Sequence, residues 1–303
     1  MITHQGDPPL PLSRVIILGG SGFIGGYLAR HLSTLGIEVV SVASAQIDLC
    51  QSAAVAQFER LVRRDDALVF VSALTPERGK DAGTFMKNVT MGQHVAAALE
   101  RSPCAHVIYL SSDAVYADGV SLVRETSCVS PAAFYGLMHI ARERMLQQAA
   151  QGSRTPFLIL RPCAIYGAGD THNAYGPNRF LRSAITERRI SLFGQGEERR
   201  DHLFVGDLSR LIGLCLTHRS TGILNAATGQ AVSFRMVAER VAALCESSIQ
   251  VESLPRQGPI THRHFDTTAL VRAFPSFQCS PLASTLAMIF EQMTEGTLAL
   301  RRT

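Results

Sequence analysis

The sequence predicts an α/β protein: one doubly wound parallel sheet with a smaller, discontinuous lobe attached. Three observations predict it. Val15-Ile16-Ile17-Leu18 is apolar throughout rather than alternating, which reads as a strand buried on both faces. It runs straight into glycines at 19, 22 and 25, and a helical pattern follows at Tyr27, Leu28, His31, Leu32 and Leu35. Length and composition complete the case: 303 residues, 46% hydrophobic and 18% charged, suffice for one large domain and a lobe.

Composition narrows the function classes. The net charge is +4, with 29 basic and 25 acidic residues, and no long run of like charge marks a nucleic-acid arm. A small anionic ligand suits this balance equally well. The seven cysteines are scattered singly with no Cys-x-x-Cys, which points to reduced thiols and a cytoplasmic setting. No apolar run is long enough to span a membrane, and the N-terminus lacks a signal pattern. Residues 1–12, with Pro8, Pro9 and Pro11, read as a flexible tail.

The strand, glycine turn and helix form the geometry that sets a pyrophosphate against backbone N–H groups at a helix N-terminus. Gly19 takes the tight turn, Gly22 permits close approach, and Gly25 lets helix and strand pack. The plain structural alternative is a turn between two core elements. The Gly-x-x-Gly-x-x-Gly spacing resembles the short-chain dehydrogenase/reductase superfamily. Gly22-Phe23-Ile24-Gly25 resembles its extended, sugar-nucleotide branch, so the fold expected is Rossmann-type. The resemblance implies cofactor contacts at Gly19, Ser21, Gly22, Phe23, Ile24 and Gly25.

Glu38–Ala43 reads as the second parallel strand. Its end, Ala43-Ser44-Ala45-Gln46, offers neither the acid that would repel a 2′-phosphate nor an arginine that would bind one. The cofactor expected is NAD or NADP, tipped slightly to NADP, with Ser44 beside the adenosine ribose. Asp48, next to Leu49, has two readings. In the resembled family an Asp here meets the adenine amino group; equally, it N-caps a helix over 51–62. Ala67–Ala73 is a third buried strand, and Ala73, Leu74 and Thr75 open the loop that the family runs past its cofactor and substrate. Asn88 matches a family position inside the helix behind the site; otherwise it is a tolerated mid-helix polar residue.

His106–Ser112 is a strand ending in two hydroxyls, and Asp113-Ala114-Val115-Tyr116 follows. Strand C-termini face the ligand crevice in such sheets. With the Tyr135-Gly136-Leu137-Met138-His139 run, this resembles the Ser-Ser-x-x-Val-Tyr and Tyr-x-x-x-Lys patterns of the family. The resemblance implies Ser112 as the hydroxyl that holds the reacting oxygen, Tyr135 as acid/base, and Ser111 as a cofactor neighbour. Hydride transfer at a carbinol needs a proton moved at the same oxygen, and a free phenol, with a pKa of about 10, is a poor base at neutral pH. The family's Lys lowers that pKa by its charge and holds the nicotinamide ribose.

Position 139 departs from the pattern. His139 shares the helix face of Tyr135 but is shorter and mostly neutral near pH 7. Three readings stay open: His139 replaces the Lys, directly or through water; another cation reaches Tyr135; or the chain is a non-catalytic dinucleotide-binding sensor. The first is preferred because Ser112 and Tyr135 are both present. The family's dehydratases carry Asp and Glu after the catalytic hydroxyl. Here Ala114 stands in place of the Glu, which argues against dehydration and leaves Asp113 as a structural or substrate contact.

Pro156–Pro162 continues the sheet, and Arg161-Pro162 with Ile165-Tyr166-Gly167 resembles the family segment beside the nicotinamide. Pro162 and Ile165 are therefore cofactor candidates, and Arg161 is structural or functional. Asn178 caps a helix or, by the resemblance, meets the substrate diphosphate. Arg200, in Arg199-Arg200-Asp201-His202-Leu203-Phe204-Val205-Gly206-Asp207, matches the family's diphosphate arginine, and Arg263 matches a second one. Asp207 reads as the cap of a helix over 208–216. A strand over 222–227 returns to the sheet, a lobe helix covers 234–244, and a closing helix covers 282–293. His262 and His264 lack a third ligand, so no metal is expected.

The expected division is 13–173 with 203–230 for the dinucleotide domain, and 174–202 with 231–303 for the substrate lobe. The resemblance implies a homodimeric nucleotide-diphosphosugar enzyme. It would be an epimerase working by hydride transfer at the sugar C4, or alternatively an NAD(P)H-dependent 4-keto-sugar reductase.

Overall fold

A computed structural model describes residues 2–245, 248–256 and 258–300. The dinucleotide half contains β1 (Arg14–Leu18), α1 (Phe23–Thr34), β2 (Glu38–Val42), α2 (Ala53–Leu61), β3 (Ala67–Phe70), α3 (Ala82–Arg101), β4 (His106–Leu110), β5 (Leu122–Val123), α4 (Phe134–Ser153), β6 (Phe157–Pro162) and β7 (Ala164–Tyr166). Then come α5 (Pro177–Glu187), β8 (Arg189–Phe193), β9 (Arg199–Arg200), β10 (His202–Phe204), α6 (Val205–Thr217) and β11 (Gly222–Ala226). The remainder is β12 (Val232–Ser233), α7 (Phe234–Ala242), β13 (Gln250–Leu254), β14 (His264–Phe265), α8 (Thr268–Ala273) and α9 (Leu282–Leu300).

Six strands form one parallel sheet in the order β11-β6-β4-β3-β1-β2. The chain leaves β1 in one direction to β2 and returns on the other side to β3, so the crevice opens where these strands end. Leu18 pairs with both Val42 and Phe70. The loops after β1, β2 and β3 therefore emerge side by side.

The apolar run of β1 is consumed by both layers. Ile16 and Leu18 pack with Phe58, Val95, Leu99 and Leu146 from α2, α3 and α4. Val15 and Ile17, pointing the other way, pack with Leu28 and Leu32 of α1 and Leu208, Leu211 and Ile212 of α6. A third cluster, including Phe180, Leu192, Phe234, Val237 and Leu286, holds α5, β8, α7 and α9 together as the smaller lobe.

Several sequence expectations change. The segment before β1 is docked rather than loose: Thr3 bridges Thr221, and the His4 ring sits against His218 and Phe274. Residues 264–274 fall outside the lobe, since Phe265, Leu270 and Phe274 bury in the first layer and β14 pairs with β5. Asp207 is not a cap. It lies inside the first turn of α6 and accepts from Ser280 N and Oγ at 2.7 and 2.8 Å, tying that helix to the segment before α9. Nor does Asp48 cap α2, which is preceded by Ser52; it accepts from Cys50 N at 3.0 Å within the turn. Among the described residues no helix is long and apolar enough to cross a membrane.

Candidate active site

The ends of β1, β3 and β4 open into a cleft of about 670 Å³. Its floor is the glycine turn. Gly19 has φ +93°, and a Cβ at Gly25 would lie 2.2 Å from the Gly19 carbonyl oxygen, so neither position admits a side chain as built. The N-terminus of α1 begins at Gly22 with no side-chain cap and no acidic residue in its first turn. Its N–H groups are thus left for an anion. This backbone fits a dinucleotide pyrophosphate.

Most sequence-predicted residues share this one cleft. Gly19, Ser21, Gly22, Phe23, Ile24 and Gly25 line its floor; Ser44, Asp48 and Leu49 line one end; Ala73, Leu74 and Thr75 line the neighbouring wall. Ser111, Ser112, Asp113, Tyr135, His139, Pro162 and Ile165 complete it. Ser111 has its hydroxyl committed, donating to Glu143 at 2.6 Å. Asn88 is buried off the wall. It accepts from Leu74 N at 2.9 Å and donates to Leu74 O at 2.8 Å, and so fixes the loop that bounds the cleft.

Ser112 opens the short turn after β4, where its Oγ accepts from Ala114 N at 3.1 Å. Tyr135 stands on the first turn of α4. Burial pushes its phenol up to about 12, while the charge of Arg142 acts in the opposite direction. His139 lies one turn on, its ring edge-on to Tyr135 with centroids 4.7 Å apart. It is only 2% exposed. Its Nδ1 is 2.7 Å from the Tyr109 hydroxyl, and its Nε2 has no protein partner. Burial, reinforced by Arg142, holds the imidazole well below its ordinary range. His139 is neutral at physiological pH and brings no charge to Tyr135.

The diphosphate candidates stand behind the cleft rather than on its wall. Arg263 Nη1 donates to Asp113, at 3.1 Å to its backbone O and 3.3 Å to Oδ2. Arg200 is held by the Thr261 carbonyl and by Thr261 Oγ1, the latter at 2.9 Å. Burial lowers the Arg200 guanidinium, and the charge of Arg263 lowers it further, so the two cations feel each other. Burial raises Asp113, with Arg263 opposing. Asn178 is also off the wall: it accepts from Gly167 N at 3.2 Å and donates to Asp170 at 2.5 Å, bracing the 167–170 loop.

Sequence reasoning missed two features. Glu77 and His172, 2.8 Å apart, join the loop after β3 to the loop before α5, and both line the cleft. Arg142 is a buried arginine behind this site, and its signal was its spacing: Tyr135, His139 and Arg142 stand at i, i+4 and i+7. Among the described residues no group of three His, Cys, Asp or Glu is placed to hold a metal.

ADP-L-glycero-D-manno-heptose-6-epimerase of Cupriavidus pinatubonensis (strain JMP 134 / LMG 1197) is 23% identical over 282 residues, covering 83% of this chain and 85% of that protein. Among solved structures, MoeE5 in complex with UDP-glucose and NAD has a TM-score of 0.80 at 22% identity, covering 94% of this chain and all of that one (100%). A GDP-L-fucose synthetase from Naegleria fowleri has a TM-score of 0.84 at 16% identity, covering 95% and 96%. At these identities the structural likenesses establish the fold. The family model "NAD dependent epimerase/dehydratase family" matches residues 15–227, from β1 through β11, and the chain belongs to that family.

Proposed function

We propose that this chain is an NAD(P)-dependent epimerase of a nucleotide-diphosphosugar, acting by reversible hydride transfer at the sugar C4. One observation carries the reading: Ser112 and Tyr135, from different elements, open on the same cleft as the uncapped N-terminus of α1. The nicotinamide, when bound, accepts the hydride and returns it. Ser112 holds the sugar hydroxyl, and Tyr135 takes its proton and gives it back. The 4-keto sugar turns over between the two hydride steps.

Arg200 and Arg263 supply two guanidiniums at the Asp113 end, which supports diphosphate recognition there. His139 lines the cleft and its Nε2 has no protein partner, which suits a neutral contact to a ribose hydroxyl. The end of β2 carries no carboxylate against a 2′-phosphate, so NADP is accepted alongside NAD.

The test is product analysis by NMR. Purified protein is incubated with UDP-glucose, UDP-N-acetylglucosamine and other nucleotide sugars, with each cofactor in turn. The expected result is a C4 epimer with no net change in reduced nicotinamide. Net consumption of NADPH with a 4-keto sugar would replace the epimerase by a reductase. No hydride exchange with any nucleotide sugar would overturn both.

A further inference from the structure

Arg263 stands behind the cleft with its side chain 14% exposed, yet both of its terminal nitrogens reach the turn over 112–117, which begins at Ser112. Nη1 donates to Asp113 O at 3.1 Å and to Asp113 Oδ2 at 3.3 Å, and Nη2 donates to Ala117 O at 3.3 Å. The turn is also closed on itself: Ser112 Oγ accepts from Ala114 N at 3.1 Å, and Asp113 O accepts from Tyr116 N at 3.1 Å. The two backbone carbonyls that Arg263 holds lie at opposite ends of this turn. A guanidinium is planar, with its donors in a fixed fork, so holding both carbonyls fixes their separation. The Asp113 carboxylate supplies the counter-charge that a largely buried cation needs.

The turn has a second support on α4. A Cβ at Gly136 would fall 2.2 Å from Ala114 O, so the helix backbone rests on the turn one residue after Tyr135. The placement of Ser112 against Tyr135 thus depends on Gly136 from α4 and on Arg263 from the C-terminal segment.

That segment is itself anchored. His264 N donates to Ser121 O at 2.7 Å and Asp266 N to Val123 O at 2.9 Å, along β5. Arg263 N donates instead to Arg199 O at 3.1 Å, and Thr261 Oγ1 accepts from Arg200 Nη2 at 2.9 Å. One stretch of chain therefore joins β9 to the turn after β4, and Arg263 is where it grips that turn.

We propose that Arg263 is a positioning residue: it clamps the Ser112 turn at the spacing from Tyr135 that lets one sugar hydroxyl meet both, a role separate from contact with a diphosphate. It lies off the cleft wall and acts through Asp113 and Ala117. Charge alone serves a diphosphate, whereas the clamp needs the planar fork. The inference rests on the reading of Ser112 and Tyr135 as the groups that handle the sugar hydroxyl, but the first of its two tests does not.

The first test is hydrogen–deuterium exchange on ligand-free protein. In the unsubstituted chain the amides of Ala114, Tyr116 and Ala117 should exchange about a hundredfold more slowly than in an unstructured chain. Free exchange through the turn overturns the clamp even if no variant folds. In Arg263→Lys, exchange over residues 112–117 should quicken about tenfold while β1 keeps its rate. An unchanged turn in that variant overturns the proposal.

The second test is the split between kcat and KM, with the nucleotide sugar that the product analysis identifies. Arg263→Lys keeps the charge, so KM should stay within about threefold while kcat falls about tenfold. A raised KM at full kcat would make Arg263 a diphosphate ligand only and overturns the clamp. If no nucleotide sugar turns over in the unsubstituted protein, the epimerase reading falls and the exchange measurement alone decides the clamp.

Discussion

Arg161 and Arg142 are both buried guanidiniums behind the same cleft, and they are partnered in opposite ways. Arg161 holds Glu143 through two bonds of 2.6 and 2.9 Å and also donates to the Tyr116 hydroxyl at 3.1 Å. Glu143, adjacent to Arg142 in sequence, thus spends its charge on β6. Arg142 is left with carbonyls, an amide and a thioether. The paired centre is electrostatically closed and fixes α4 to the sheet. The unpaired one is held by dipoles alone, between α4, α3 and the loop after β3.

The largest expected effect breaks the closed side of this contrast. Arg161→Met strands the Glu143 carboxylate and should cost about 3–5 kcal/mol of stability, read as a shift in the urea midpoint. Arg161→Met with Glu143→Leu should recover most of it, because no charge is then left alone. If the double variant is no better than the single one, the pair is not a closed unit.

Acid sharpens the same contrast, since it adds charge where none is compensated. Burial pushes His106 and His202 down to about 4 from 6.5. The unfolded chain binds more protons than the folded one between those values, so stability falls as pH drops through that window. Each contributes a loss of about 3 kcal/mol by pH 4. His106→Gln and His202→Phe should each flatten the measured slope; an unchanged slope in both rejects this source.

Smaller effects test the ligand ends. Arg263→Ala should weaken nucleotide-sugar binding roughly tenfold by calorimetry while NAD affinity holds, the loss of one charge-assisted contact. Equal weakening of both ligands would place Arg263 elsewhere in the mechanism. Ser44→Asp should lower NADP affinity several-fold relative to NAD by repulsion. No change in that ratio would mean the end of β2 does not face the ribose.

Local chemistry made the first part of this molecule readable. The apolar β1 and the glycine turn are set by residues close in sequence, so spacing exposes them, and Ser112 and Tyr135 were reached through a resemblance carried by short local motifs. Features built from distant partners were not readable. Arg142 looks like a solvated helix residue until Gly92 and Asn88 are brought against it by packing of α3 on α4. The docked segment before β1 depends on Thr221 and Phe274, far along the chain. Asn88 reads in the sequence as a family position behind the site or a tolerated polar residue, and Asn178 as a helix cap or a diphosphate contact; what neither reading contains is that their amides brace the loops that shape the cleft. Arg200 and Arg263 were visible as types in a pattern, but the pairing of Arg263 with Asp113 was not.

The most direct test is rapid mixing of the NAD-loaded protein with a panel of nucleotide sugars while the absorbance of reduced nicotinamide is followed. A transient rise in the unsubstituted protein, slowed at least a hundredfold in folded Tyr135→Phe, is what the arrangement of Ser112 and Tyr135 requires. No rise with any nucleotide sugar, or an equal rise in Tyr135→Phe, would contradict it.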